Sequence, residues 1–192
     1  KVFYSPVIEL VCAVHLLTDP AHHQFEIKWA EEVLSILSED ELEALQSIKH
    51  YPAGGIEFLN YVLENKELFS IEKFIKHIEN SNDTDFFFYL LNESIDKDKI
   101  EKAFDNNNER YKIQEKIKWI VEENVLMYFF DNPREIKEKA VKILKTIYEK
   151  GLQDRFQQDK IRLEEGVNYV NDFIGKDSIE TVLEKIKGKP KR

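Results

Sequence analysis

Four residues early in the chain have side chains that bind metals: His15, Asp19, His22 and His23. Asp19 and His22 follow His15 by four and seven positions, which on a continuous helix would stack all three on one face. Imidazole nitrogen and carboxylate oxygen suit zinc and its neighbours. Pro20 falls inside that span, where it removes a backbone donor and disfavours helical geometry at Asp19. The helix therefore stops and the alignment is lost. The expectation is structural instead: His22 or His23 hydrogen-bonds and packs near Trp29. No metal or cofactor is expected.

Nucleophilic chemistry has little to stand on. Cys12, the only cysteine, sits in an apolar helical run, where a free thiol behaves as a small core residue. There is no GxSxG, and the Gly54-Gly55 pair is not a phosphate loop, because GxxxxGK[ST] and a preceding strand are both missing. The acidic residues fall mostly opposite the apolar stripes. Pairs such as Glu135/Lys139 and Glu138/Lys142 have the i,i+4 spacing that supports a helix. The chain is not expected to be an enzyme. The catalytic alternative is a metal-dependent enzyme built on the His15–His23 region.

Aromatic residues are the other candidates. Phe86, Phe87, Phe88 and Tyr89 form a continuous run, and Trp29, Trp119, Tyr128, Phe129 and Phe130 add to it. Helices that are aromatic on more than one side can line an apolar pocket or a subunit interface. A small-molecule effector pocket is expected first where Trp29 approaches Phe86–Tyr89, with Tyr128 as a further lining or interface residue. A homodimer is the companion expectation.

The elements that must position these residues read as helices. Ser5-Pro6 is a helix start, Val7, Leu10, Val14 and Leu17 make its apolar stripe, and Glu9 lies near its positive end. A second helix gathers around Trp29 and ends near Ile36-Leu37. Ser38 and Glu41 have capping-box spacing before a helix to about His50. Tyr51-Pro52-Ala53-Gly54-Gly55 is the strongest break in the chain. Beyond it, Ser70 and Asp96 are expected caps, and Asp85–Leu91 is assigned to helix because its neighbours are helical. One long helix is expected over about residues 109–130. Asp131-Asn132-Pro133 breaks the chain, another helix opens at Arg134 and runs to a C-cap at Gly151, and further helical segments reach Ile186. Asp177 and Glu180 repeat the capping-box spacing.

The sum is an all-α bundle of roughly nine or ten helices with no significant sheet. Residues 1–187 form a single helical domain, with a small lobe 1–51 and a larger body 56–187 as the alternative division. Residues 188–192 are a basic exit linker. The net charge of −9 argues against non-specific binding to DNA or to an anionic membrane. Residues 1–60 carry 3 Lys/Arg against 10 Asp/Glu, and residues 131–192 carry 15 against 12, so only the last third is mildly basic. No apolar run is long enough to span a bilayer, and the start lacks the pattern of a signal peptide. With one cysteine and no disulfide, a cytoplasmic protein is expected.

The opening stretch also resembles the N-terminal domain of one group of ArsR-like transcriptional regulators. The residues that carry the resemblance are Ser5, Pro6, Glu9, Leu17, Asp19, Pro20, His22 or His23, and Trp29. It covers about 25 residues, and Gln24 stands where the family often has proline. The resemblance implies a bacterial regulatory domain that senses a signal or dimerises. DNA would be reached only through a winged helix-turn-helix that follows it. Nothing between Arg134 and Arg192 reads as that module. A stand-alone helical protein–protein interaction module is the alternative.

Overall fold

The computed structural model describes residues 4–20, 27–52, 54–174, 176–178 and 181. Eleven α-helices lie among them, slightly more than expected, and no strand or sheet does, so the fold is all-α. They fall into two compact units, Pro6–Leu152 and the combination of residues 1–5 with 153–192.

The unit Pro6–Leu152 is built around one helix, α10 (Pro133–Ile147). Pro133 opens it, where a missing N–H costs nothing. Ile136, Ala140, Ile143, Leu144 and Ile147 recur at helical spacing and are buried. Against them pack α1 (Pro6–Thr18), α3 (Glu39–Lys49), α5 (Ile71–Asn80) and α6 (Asp83–Leu90). The Pro52–Gly55 break is a turn inside this unit. It leads through a short 3₁₀ turn (Ile56–Phe58) into α4 (Leu59–Glu64). Before α3 lies α2 (Ile27–Ser35).

Local grammar explains most boundaries. Ser38 and Glu41 form the expected capping box: Ser38 N donates to Glu41 Oε2 at 2.7 Å, and Glu41 N donates to Ser38 Oγ at 3.4 Å. Asn82 caps α6, with Asp85 N donating to its Oδ1 at 2.7 Å. Ser70 and Asp96 occupy the cap positions of α5 and α7 (Lys97–Asp105), but their side chains engage Glu72 and Lys99 instead of backbone amides. Ser5 directly precedes α1, yet its buried Oγ makes no hydrogen bond with a described residue.

Two expected helices are corrected. The stretch 109–130 is not one helix. It is α8 (Asn107–Ile117) and α9 (Glu123–Asp131), joined by a turn at 118–122. Ile113, Ile117, Val121 and Val125 keep helical spacing across the turn, which is why they read as one element. The turn is held by Gln114, whose Nε2 donates to the Val121 carbonyl at 3.0 Å. Arg110 braces the same region. Its Nε donates to Ala103 O at 2.6 Å and it pairs with Asp131, tying α7 and α9 to α8. Gly151 is not a C-cap either. α10 widens into a π-type turn (Tyr148–Leu152) and the chain continues into α11 (Gln153–Asn171). Gly151 is needed for close approach: a Cβ there would lie 3.3 Å from Val33 and 3.5 Å from Trp29.

In the second unit, α11 is the main element. Phe156 meets Tyr4 edge-on with ring centroids 6.5 Å apart, and Tyr169 meets Phe173 at 4.9 Å. Ile174 and Asp177 form an isolated bridge. The residues expected to form the final helix, from Glu180 onward, lie largely outside the described residues.

Candidate functional site

The expected aromatic pocket separates into different environments. Phe86 and Phe87 are fully buried and pack with Phe58, Phe104 and Phe130. Trp29 lies against Gly151, as Val33 does, and donates its indole N–H to the Gly151 carbonyl at 3.2 Å. Phe88 lies beneath the Lys97 ammonium, 4.9 Å from its centroid. Tyr89 stacks on Tyr61 with centroids 3.9 Å apart. Tyr128 is 42% exposed and donates its hydroxyl to Glu135. The run Phe86–Tyr89 thus divides between the core, Phe86 and Phe87, and a half-buried side, Phe88 and Tyr89, as a helix that turns about 100° per residue requires.

Cys12 is corrected from core to surface: it is exposed, because α1 buries Val7, Leu10, Val11, Val14 and Leu17 and turns Cys12 away. Partial desolvation, and then Glu9, raise its thiol pKa, which leaves it a poor nucleophile. His22 and His23 lie outside the described residues. Among the described residues no cluster of His, Cys, Asp or Glu could hold a metal ion. None of the described helices is long and apolar enough to cross a membrane.

The site that gathers the early motif is a cleft of about 360 Å³ where the C-terminal ends of α1 and α3 meet the Tyr51–Gly55 turn and the α8–α9 turn. From α1 come His15 and Thr18, with Asp19 directly after it, and from the end of α3 come Lys49 and its C-cap residue His50. Opposite them stand Glu122 and the apolar side chains of Ile120, Val121 and Val125. Sequence reasoning singled out His15 and Asp19 and missed the rest. The signal available for the rest was the Pro-x-Gly-Gly break, which reads as punctuation until its backbone is seen.

That break is the wall of the cleft. Gly54 and Gly55 have φ of +56° and +92°, values that L side chains rarely adopt. A Cβ on Gly55 would sit 3.1 Å from Ile48, and one on Gly54 would sit 3.2 Å from His15 Nδ1. His15 Nδ1 lies 3.2 Å from the Gly54 carbonyl. A carbonyl only accepts, so Nδ1 carries the proton and donates, which fixes the tautomer. The Thr18 hydroxyl donates to the His15 carbonyl at 2.7 Å and is committed there.

Two buried polar groups support the turn. Glu57 is 1% exposed and accepts from the Gly55 amide through Oε2 at 3.1 Å. Tyr51 donates its hydroxyl to the Ile136 carbonyl of α10 at 3.0 Å and packs edge-on against Phe58 and Phe129. Burial, then Glu57, push the Tyr51 pKa well up, so it stays a donor. The cleft therefore has a rigid floor, groups of both signs at its rim, and an apolar wall. That arrangement suits a small polar or zwitterionic molecule with an apolar part. No model of a known protein family matches the chain, and no curated protein or solved structure is significantly similar to it.

Proposed function

We propose that this chain is the N-terminal regulatory domain of a bacterial, cytoplasmic transcriptional regulator of the ArsR-like kind. It senses a small polar effector in the cleft at the ends of α1 and α3, works as a homodimer, and reaches DNA only through a following winged helix. The observation that carries the reading is the double use of one helix. Most of the residues that make the resemblance, Ser5, Pro6, Glu9, Leu17, Asp19 and Pro20 beside His22 or His23 and Trp29, lie on α1 or at its ends, and the same helix and the residue after it supply His15, Thr18 and Asp19 to the cleft. An effector bound there would touch α1, α3 and the α8–α9 turn together, and so could bias their arrangement.

The test is the reading frame beyond Arg192. About a hundred further residues with a basic helix-turn-helix and a β-hairpin are the expected result. A stop within a few codons overturns the regulator reading. A second reading, a helical protein–protein interaction module, is favoured by Trp119, which is 81% exposed in the α8–α9 turn. It predicts that Trp119→Ala abolishes capture of a partner and leaves the fold unchanged.

A further inference from the structure

Between α10 and α11 lies the π-type turn Tyr148–Leu152. A turn with i→i+5 bonding is rare, and where one interrupts a helix it often marks a functional segment. Burial shows what this one does. Ile147 and Leu152 are 0% and 5% exposed and stand five residues apart. On a continuous α-helix two such positions point about 140° away from each other, since each residue turns the helix by about 100°. The wider turn brings both inward. Glu149 and Lys150, between them, stay exposed.

The turn is fastened by groups remote in sequence. The Trp29 indole of α2 donates to the Gly151 carbonyl at 3.2 Å. Val33, one turn further along α2, would lie 3.3 Å from a Cβ on Gly151, so the backbone of the turn sits directly on α2. Lys150 Nζ donates to Glu41 Oε2 at 2.7 Å, the same oxygen that accepts from the Ser38 amide. The turn is thus held by its backbone to α2 and by a side chain to the capping box of α3. α3 runs from that box to Lys49 and His50 at the effector cleft.

We propose that Tyr148–Leu152 is a register clutch, a two-state segment held in its wide form by Trp29 and Glu41 and relaxing to α-helical register when they let go. In the α register Leu152 leaves the buried side and Gly151 draws away from Trp29. The fastenings supply the differential contacts that such a two-state element requires. The trigger rests on the effector reading: an occupant of the cleft that displaces α3 would pull Glu41 from Lys150. The clutch itself needs no effector. Its output is the chain that continues directly from Leu152 into α11.

The test uses the full 192-residue chain without effector. With Cys12→Ser removing the native thiol, Leu152→Cys and Ile147→Cys each report the exposure of one position to a thiol reagent. Leu152→Cys is expected to react slowly in the otherwise unchanged chain. Adding Trp29→Phe and Lys150→Gln, which remove both donors, should speed it by about tenfold or more, while Ile147→Cys stays slow. Amide hydrogen exchange needs no cysteine. Over residues 150–152 it should rise by a similar factor when the two donors are removed from the native chain, and it should not change at Ile143 and Leu144. Lys145→Gln, which breaks the pair with Glu79 on the same helix, should alter neither readout. No acceleration at the turn overturns the clutch. So does an equal acceleration at Ile147, Ile143 and Leu144, which is loss of the fold and not a change of register. Either failure leaves the effector cleft standing, and a reading frame that closes after Arg192 removes the regulator and leaves the clutch.

Discussion

Two recesses of the molecule are built from opposite materials. The cleft at the ends of α1 and α3 is framed by backbone: two glycines at positive φ, a histidine held by a carbonyl, and a buried tyrosine tied to the central helix. The recess beside α5 is framed by the long side chains of Lys73 and Lys76, which stand on the solvent face of a helix whose other face, Ile71, Phe74, Ile75 and Ile78, is core. The cleft's shape is part of the folding free energy. The recess's charge is nearly independent of it. A surface of the first kind is expensive to alter and suited to transmitting strain. One of the second kind can change its side chains without endangering the fold.

Gly55→Ala is the harshest test of this contrast. It places a Cβ at φ +92° and 3.1 Å from Ile48, and neither the backbone nor the core helix can give way freely. A loss of about 2–3 kcal/mol is expected in chemical denaturation. A near-neutral result would mean that the turn relaxes and the cleft has no rigid wall. Tyr51→Phe is milder. It keeps the rings packed and leaves the Ile136 carbonyl without its donor, so about 1–2 kcal/mol should be lost. The unfolding midpoint measures both.

Glu41→Gln probes α3 at the end remote from the cleft. The Glu41 carboxyl is held down to about 2, first by the hydrogen bond from Lys150 and then by the Ser38 amide. A depressed carboxylate stabilises the fold in full above its ordinary value near about 4.3, and that contribution disappears as pH falls through the folded value. The variant should therefore be less stable by about 1 kcal/mol at neutral pH, a figure already reduced for solvent screening of the pair. The gap to the unchanged protein should close between pH 4 and about 2. A gap that stays constant across this range would show that the capping geometry matters and the charge does not.

How far the sequence reveals these features depends on their range. The Ser38–Glu41 box and the helicity of Asp85–Leu91 follow from neighbours in the chain, and composition and periodicity make the all-α class legible. What failed was long-range. Gly151 looks like a C-cap by local grammar, but it is required by Trp29, which approaches it across 122 positions of sequence. The break within 109–130 is invisible to periodicity because Val121 and Val125 keep the stripe in phase, and only Gln114 closing on Val121 O reveals it. Cys12 reads as core from its apolar surroundings, though its angular position on α1 puts it outside the buried stripe. For the cleft at α1 and α3, His15 and Asp19 stood out by residue type. Lys49, His50 and Glu122 are brought to it only by helix packing.

The smallest expected effect sharpens the contrast most. Lys73 and Lys76 are exposed neighbours on α5, one turn apart, and their weak mutual repulsion is offset by Glu72 and Glu79 beside Lys76. Glutamine has nearly the same helix propensity as lysine and keeps most of the aliphatic stem. Lys73→Gln with Lys76→Gln should therefore change unfolding free energy by less than about 0.5 kcal/mol. Any change should shrink further when salt screens these charges. A loss above about 1 kcal/mol would mean that these lysines hold α5 in place. The recess beside α5 would then be a structural feature of the same kind as the cleft, and the division between a surface framed by backbone and one framed by side chains would collapse.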